Sequence, residues 1–131
     1  MKRLMMKSKI HRATITEANV NYIGSLTIDE DLLERADILP YEQVHVVNVS
    51  NGERLVTYAI RGARGSGTIC LNGAAAHKGS PGDIVIVITY GEYSDDDAHE
   101  LEPNVVFVDQ QNRPTQTLHP DADHSELAAQ C

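Results

Sequence analysis

The chain is short of aromatic residues. It has no Trp, a single Phe and five Tyr among 131 residues. A core here must be assembled from Val, Ile, Leu and Ala. Cysteine is scarce too: Cys70 lies in an apolar strand-like stretch and Cys131 is the last residue. Two such thiols do not make the disulfide framework of a small secreted domain. Cations are outnumbered, with 11 Lys and Arg against 19 Asp and Glu and a formal net charge of -8. Neutralising phosphates requires the opposite balance, which argues against broad nucleic-acid binding and against an anionic membrane surface. No apolar run approaches the roughly 20 residues that span a bilayer. The segment Met1-Lys2-Arg3-Leu4-Met5-Met6-Lys7 starts basic, but Lys7 and Lys9 interrupt any apolar h-region. The expectation is a cytoplasmic protein with neither a membrane nor a nucleic-acid partner. The six His residues show no close metal-ligand spacing, so no metal site is expected. No internal repeat is present. Asn48-Val49-Ser50 matches a glycosylation sequon, which without a secretory signal reads as a chance match.

What the chain does have is β signal. Residues 9–16 alternate around Ile10, Ala13 and Ile15. Val44-His45-Val46-Val47-Asn48-Val49 is rich in β-branched residues, and Arg54-Leu55-Val56-Thr57-Tyr58-Ala59-Ile60 follows it across Ser50-Asn51-Gly52. An Asn-Gly between two such runs predicts a hairpin. Residues 82–90 are a continuous apolar run, which predicts a strand buried on both faces. Val105-Val106-Phe107-Val108 predicts another strand. Helices are short. Residues 29–36 carry acids in the first turn, where the helix dipole favours them. Residues 74–77 predict one turn after Asn72-Gly73, and residues 95–99 an acid-led third helix. Many short strands in a small chain predict a barrel or sandwich. Residues 1–111 read as one mainly β domain. From Asn112 to Cys131 Pro, polar and charged residues take over, and residues 112–131 are expected to be a disordered tail.

Several residues carry chemistry. Lys7, Lys9 and His11 alternate and so share one strand face, with Arg12 beside them. Arg54 lies on a different strand, close to Thr57 and Tyr58. If the two strands meet, Lys9, His11 and Arg54 form a small cationic pocket for an anionic substrate. A solvated strand edge, where Lys is common, is the plainer reading. Thr57 and Tyr58 point to opposite faces, as strand neighbours do. Asn72-Gly73-Ala74-Ala75-Ala76-His77 is less ordinary. Small residues let a backbone approach a ligand closely, and a one-turn helix start offers free N–H groups to an anion. Residues 61–67 are Gly-rich but fit neither phosphate-loop spacing, so a mobile loop is expected. The pair Gly24-Ser25 reads as a turn, or as a bond meant to break. A Ser hydroxyl can attack the carbonyl before it, and Gly24 leaves that carbonyl without steric cover. The attack needs donors for the developing oxyanion, often the largest catalytic term. Thr57 and Asn72 are candidates.

Read together, five segments resemble the aspartate 1-decarboxylases, the pyruvoyl-dependent enzymes that make β-alanine for pantothenate and coenzyme A. They are Lys9-Ile10-His11-Arg12-Ala13; Tyr22-Ile23-Gly24-Ser25; Asn51-Gly52-Glu53-Arg54 with Thr57-Tyr58-Ala59-Ile60; Asn72-Gly73-Ala74-Ala75-Ala76-His77; and Pro81-Gly82-Asp83-Ile84-Val85-Ile86. The resemblance runs from Met1 through Val108 and keeps motif order and separation; the tail after Asn112 lies outside it. It implies a mainly β fold, a double-psi β-barrel with a few short helices, in a homotetramer with active sites between subunits. It implies self-cleavage into 1–24 and 25–131, with Ser25 becoming a covalently bound pyruvoyl group. Thr57 and Asn72 are then implied to assist processing. Tyr58 is implied as the proton donor, and Lys9 and Arg54 as ligands of the substrate carboxylates. Thr57, Asn72 and the backbone of Gly73, Ala74 and Ala75 are implied to contact the substrate. His11 and Tyr22 are neighbours. Processing leaves room for a maturation factor.

The implied chemistry is decarboxylation of L-aspartate through a Schiff base on the pyruvoyl ketone, which serves as an electron sink. Two cations from separate strands clamp the two carboxylates, Arg54 bidentately and Lys9 more as a point charge. Bulk charge gives an anionic substrate no steering, so a local cationic pocket must outweigh it. Two other readings compete. An amidase with a freed Ser25 as N-terminal nucleophile predicts a free amine on Ser25. A non-enzymatic barrel that binds small acids or partner proteins predicts an uncleaved chain.

Overall fold

Alternation of apolar and polar residues is realised as strand along most of the chain. The computed structural model describes residues 1–118. In chain order the elements are β1 (Lys2–Thr14), β2 (Glu17–Asn19), β3 (Ser25–Asp29), α1 (Glu30–Ala36), β4 (Gln43–Asn48), β5 (Arg54–Gly62) and β6 (Ile69–Asn72). A 3-10 helix (Gly73–Lys78), β7 (Ile84–Ser94), α2 (Asp95–Glu100), β8 (Asn104–Val108) and β9 (Pro114–Leu118) follow. The predicted hairpin is β4 with β5, Gln43 opposite Tyr58 and Val47 opposite Arg54. Gly52 in its turn takes φ +77°, which glycine adopts without a Cβ penalty. No helix among the described residues is long and apolar enough to cross a membrane.

The strand order is β2-β6-β3-β5-β4-β7-β1-β8-β9. Only Ile15 and Thr16 separate β1 from β2, and Thr16 N donates to Ile69 O at 2.8 Å. The chain leaving β1 therefore reaches β6 from the other side, and the sheet closes on itself as a barrel. β3 with β5, β1 with β8 and β2 with β6 are parallel; the remaining pairs are antiparallel. A closed sheet has one interior. Ile10, Leu26, Ile28, Val44, Val46, Ala59, Ile69, Leu71, Val85 and Val87 meet there in one buried cluster, with Leu32, Leu33 and Ala36 of α1. The cluster is aliphatic throughout, as the shortage of aromatics requires. Each fully buried Ile or Leu contributes about 1.5–3 kcal/mol.

Four expectations change here. The apolar run in β7 is buried on one face only: Val85, Val87 and Thr89 point inward, while Ile84, Ile86 and Ile88 are half-buried on the outside. A barrel strand has only one core side. β1 and β5 do not meet, because β7 and β4 stand between them, so one chain does not form the cationic pocket of Lys9, His11 and Arg54. Order also extends past residue 111. Asn112 is buried, accepts from Thr14 N at 2.7 Å, and donates to Thr14 O at 2.7 Å and Gly67 O at 2.8 Å. Pro114–Leu118 then pair with β8. An edge strand is held by backbone bonds, which is why a polar composition hid it. Residues 119–131 of the expected tail lie outside the described residues. Finally, the Gly-rich segment 61–67 is tied down: Gly65 N and Gly67 N donate to the Asp29 carboxylate at 3.1 and 2.8 Å.

Candidate active site

Ser25 opens β3 and is 1% exposed. β3 pairs antiparallel with β6, setting Ser25 opposite Asn72 and Thr27 opposite Cys70. Alternation puts these four side chains on one face, while Leu26 and Leu71 enter the core. Asn72 Nδ2 donates to Ser25 Oγ at 2.9 Å and to Thr27 Oγ1 at 2.8 Å. Cys70 Sγ donates to Asn72 Oδ1 at 3.1 Å. Ser25 Oγ in turn lies 3.4 Å from Ile23 O, a long contact. Burying an amide and a hydroxyl is costly unless they are hydrogen-bonded, and this network meets that need. Burial, and then the charge of Glu17, push the Cys70 thiol up, so it keeps its proton at neutral pH.

Gly73 brings a second piece of backbone to the same place. It takes φ +63° as β6 gives way to the 3-10 helix. A Cβ there would stand 2.7 Å from Gly24 Cα, 2.7 Å from Gly24 N and 2.9 Å from Tyr22 O. Only glycine lets these two segments touch. Gly24 is different: a Cβ on it would meet only Asn72 O, at 3.9 Å. Packing therefore does not demand glycine at 24. Ala74 is exposed, and Ala75 is half-buried against the core.

Ser25 also borders a cleft of about 460 Å³ with Tyr22, Ile23, Pro40, Tyr41, Tyr58, Ile60 and Arg61. Tyr58 arrives from β5, which lies beside β3 with Leu26 opposite Ala59. Its ring centroid is 6.5 Å from that of Tyr41. Thr57 sits opposite Val44 and borders a shallow recess with Tyr41, Gln43, Val56 and Tyr58. Lys9 is elsewhere, opposite Ile88 of β7 and Val105 of β8. Four strand steps separate it from Ser25, about 19 Å along the sheet. Arg54 precedes Tyr58 by four residues on β5, about 13 Å along the strand. Lys7 pairs with Glu42 at 2.7 Å and sits at the register shift between Met6 and Ser8 of β1. His11 is buried edge-to-face against Phe107, centroids 5.5 Å apart.

One chain thus gathers Gly24, Ser25, Asn72, Gly73 and Tyr58, and leaves Lys9 and Arg54 apart. Sequence reading passed over Thr27 and gave Cys70 no role. The only signal was spacing by two, Ser25 to Thr27 and Cys70 to Asn72, which on strands means a shared face. It also left Arg61 in a loop, where the structure puts it in β5 and in the cleft, paired with Glu30 at 3.4 Å.

Fold and site together define a small closed β-barrel organised around a serine of its own backbone, buried and held by an amide. The family model described as aspartate decarboxylase matches residues 1–115. Among similar proteins is the aspartate 1-decarboxylase of Heliobacterium modesticaldum, 62% identical over 113 residues that make up 86% of each chain. That of Desulfitobacterium hafniense is 60% identical over 119 residues, 91% of this chain and 94% of the relative. That of Thermoanaerobacter pseudethanolicus is 59% identical over 114 residues, 87% of this chain and 97% of the relative. The chain belongs to the aspartate decarboxylase family and is an enzyme of the carboxy-lyase class.

Proposed function

We propose that the chain cleaves itself between Gly24 and Ser25, and that the processed enzyme converts L-aspartate to β-alanine and CO2. The observation that carries this is the Asn72 amide on Ser25 Oγ at 2.9 Å, with Gly73 backed against Gly24. Family membership supports the substrate, since the relatives carry the name aspartate 1-decarboxylase. In the cleavage, Ser25 Oγ bonds to the Gly24 carbonyl carbon and loses its proton. The Gly24–Ser25 C–N bond breaks, the freed nitrogen takes a proton, and an ester remains. Removal of the Ser25 α-proton then expels the Gly24 carboxylate and leaves a dehydroalanine. Water replaces its nitrogen, ammonia leaves, and a pyruvoyl ketone caps the larger fragment. No oxidant is needed.

Both Asn72 hydrogens are taken by hydroxyls. Its contribution therefore falls on Ser25 Oγ rather than on the Gly24 carbonyl oxygen, where sequence reasoning had placed it. A fixed donor at Oγ stabilises charge as the proton leaves and again as the carboxylate departs. The site suits a small group at position 25, with the Asn72 amide on one side and a glycine backbone at 73 that no Cβ fills. Once formed, the ketone supplies an electron sink for the carbanion left by CO2. Tyr58, in the same cleft as Ser25, donates the proton to that carbon. Arg54 and Lys9 bind the substrate carboxylates, with Thr57, Ala74 and Ala75 at the margin. Their placement on strands and positions away from Ser25 supports a site completed by a second copy, as in a homotetramer with sites between subunits. The outer surface supports such assembly: Leu4, Val56 and Tyr90 are 71%, 57% and 40% exposed, and exposed apolar surface of this kind marks interfaces.

The mass of the purified, denatured chain tests the reading. Two fragments divided at Gly24-Ser25 are expected, the larger lighter by one ammonia than a Ser-terminated chain. Ser25→Ala abolishes the division. A larger fragment that keeps the ammonia favours the amidase instead. A single wild-type species near 14.4 kDa that persists on incubation, in the presence of cell extract as well, favours the non-enzymatic barrel.

A further inference from the structure

We propose that Cys70 is a positioning residue for self-cleavage: its thiol sets which end of the Asn72 amide faces Ser25. The inference rests on the cleavage reading above. An Asn side chain has two ends of nearly equal shape, one donor and one acceptor. The Ser25 and Thr27 hydroxyls can each donate or accept, so neither selects an end. The selecting contact is the third one, Cys70 Sγ to Asn72 Oδ1 at 3.1 Å. A protonated thiol is a weak donor and a weak acceptor, and here it donates, with Asn72 Oδ1 at 3.1 Å much nearer than its other acceptor, Leu71 O at 3.9 Å. The burial that raises the Cys70 pKa keeps that proton in place. With Oδ1 held at the sulfur, the NH2 group must face Ser25 Oγ and Thr27 Oγ1, as observed.

The orientation has a chemical consequence. With NH2 facing it, Ser25 Oγ accepts a hydrogen bond, its own hydrogen is held only by the long 3.4 Å contact to Ile23 O, and charge on the oxygen is stabilised. Were the amide reversed, the Ser25 hydrogen would be bound to Oδ1, and charge on Oγ would face a lone pair. Strand geometry makes the arrangement stiff. Cys70 and Asn72 share one face of β6, and β3 sets Thr27 opposite Cys70.

Cleavage is followed by the mass of the denatured chain over time, for wild type, Cys70→Ser and Cys70→Val, with the thermal midpoint of each. Wild type and Cys70→Ser, both with a donor, should cleave at similar rates. Cys70→Val should be about tenfold slower, the size of one hydrogen bond, with a midpoint lowered modestly because the buried Asn72 Oδ1 loses its donor. A Cys70→Val chain that cleaves as fast as wild type overturns the proposal. So does a Cys70→Ser chain as slow as Cys70→Val, which would make the role one of packing. An uncleaved wild-type chain instead removes the cleavage reading, and the proposal with it. A second measurement does not depend on cleavage. In a Ser25→Ala, Cys131→Ser background, the infrared S–H stretch of Cys70 should be lowered by donation to Oδ1, and should rise when Asn72→Ala is added. An S–H band indifferent to Asn72 overturns the proposal.

Discussion

At Gly73, φ is +63° and a Cβ would stand 2.7 Å from the backbone of Gly24. Both the conformation and the contact penalise any larger residue. At Gly52, φ is +77° but a Cβ would meet nothing within 4 Å, so only the conformation counts. In an uncleavable Ser25→Ala background, Gly73→Ala should therefore cost ~2–4 kcal/mol and Gly52→Ala ~1 kcal/mol. Urea midpoints measure both, and equal losses would show that the contact with Gly24 carries no weight. Placed on the wild-type chain, Gly73→Ala should also slow cleavage while Gly52→Ala leaves it unchanged. Tyr58 makes a separate prediction. Tyr58→Phe keeps the ring and removes only the hydroxyl, so the chain should still divide at Gly24-Ser25. Release of CO2 from L-aspartate should fall by about 10²–10⁴, as for loss of a general acid. Full activity in that variant would take the proton-donor role away from Tyr58.

Among the elements, the junction of β3 and α1 joins two parts of the fold through one carboxylate. Asp29 caps α1 by accepting from Asp31 N at 2.8 Å, and also accepts from Gly65 N and Gly67 N. Asp29 and Gly67 are buried, so the Gly67 amide has no ready substitute in water. Asp29→Ala should cost about 2–4 kcal/mol, from a lost cap plus a buried donor left unpaired. Amide exchange at Gly65 and Gly67 should quicken in step. A loss confined to α1, with no change at Gly65 and Gly67, would mean that the loop is held by something else. The Gly-rich run 61–67 looked like a loose loop because its anchor, Asp29, lies 36 residues before Gly65. The helix itself was legible. Its acidic first turn and apolar Leu32, Leu33 and Ala36 are local features, and local features survive into the fold.

For the whole molecule, the question is whether Lys9 of one chain meets Ser25 of another. Within one chain β7, β4 and β5 lie between their strands. A site completed by a neighbouring copy predicts complementation. Lys9→Ala and Tyr58→Phe chains should each be nearly inactive alone. Co-expressed in equal amounts, they should regain about a quarter of wild-type activity, because random assembly pairs the two intact surfaces in that share of sites. No recovery would place Lys9 and Tyr58 in one chain's site, or remove Lys9 from it. The half-buried Ile86 and Ile88 on the outer face of β7 fit the same picture. Their run looked like a strand buried on both sides, and one barrel buries it on one.

The sequence by itself determined the strands β1, β4, β5, β7 and β8, the Asn51-Gly52 turn, the aliphatic core and the order of motifs that identify the family. These depend on neighbours a few residues apart, or on composition, and both can be read along a line. Only the tertiary structure decided that β1 and β5 are kept apart, and that Asn112 is a core residue leading into β9. It alone set Cys70, Asn72, Thr27 and Ser25 in one network. Ser25 and Asn72 are 47 residues apart in the chain, and nothing local to either names the other. Strand pairing selects partners by the register of whole strands around a shared core, and that selection is made only when the barrel closes.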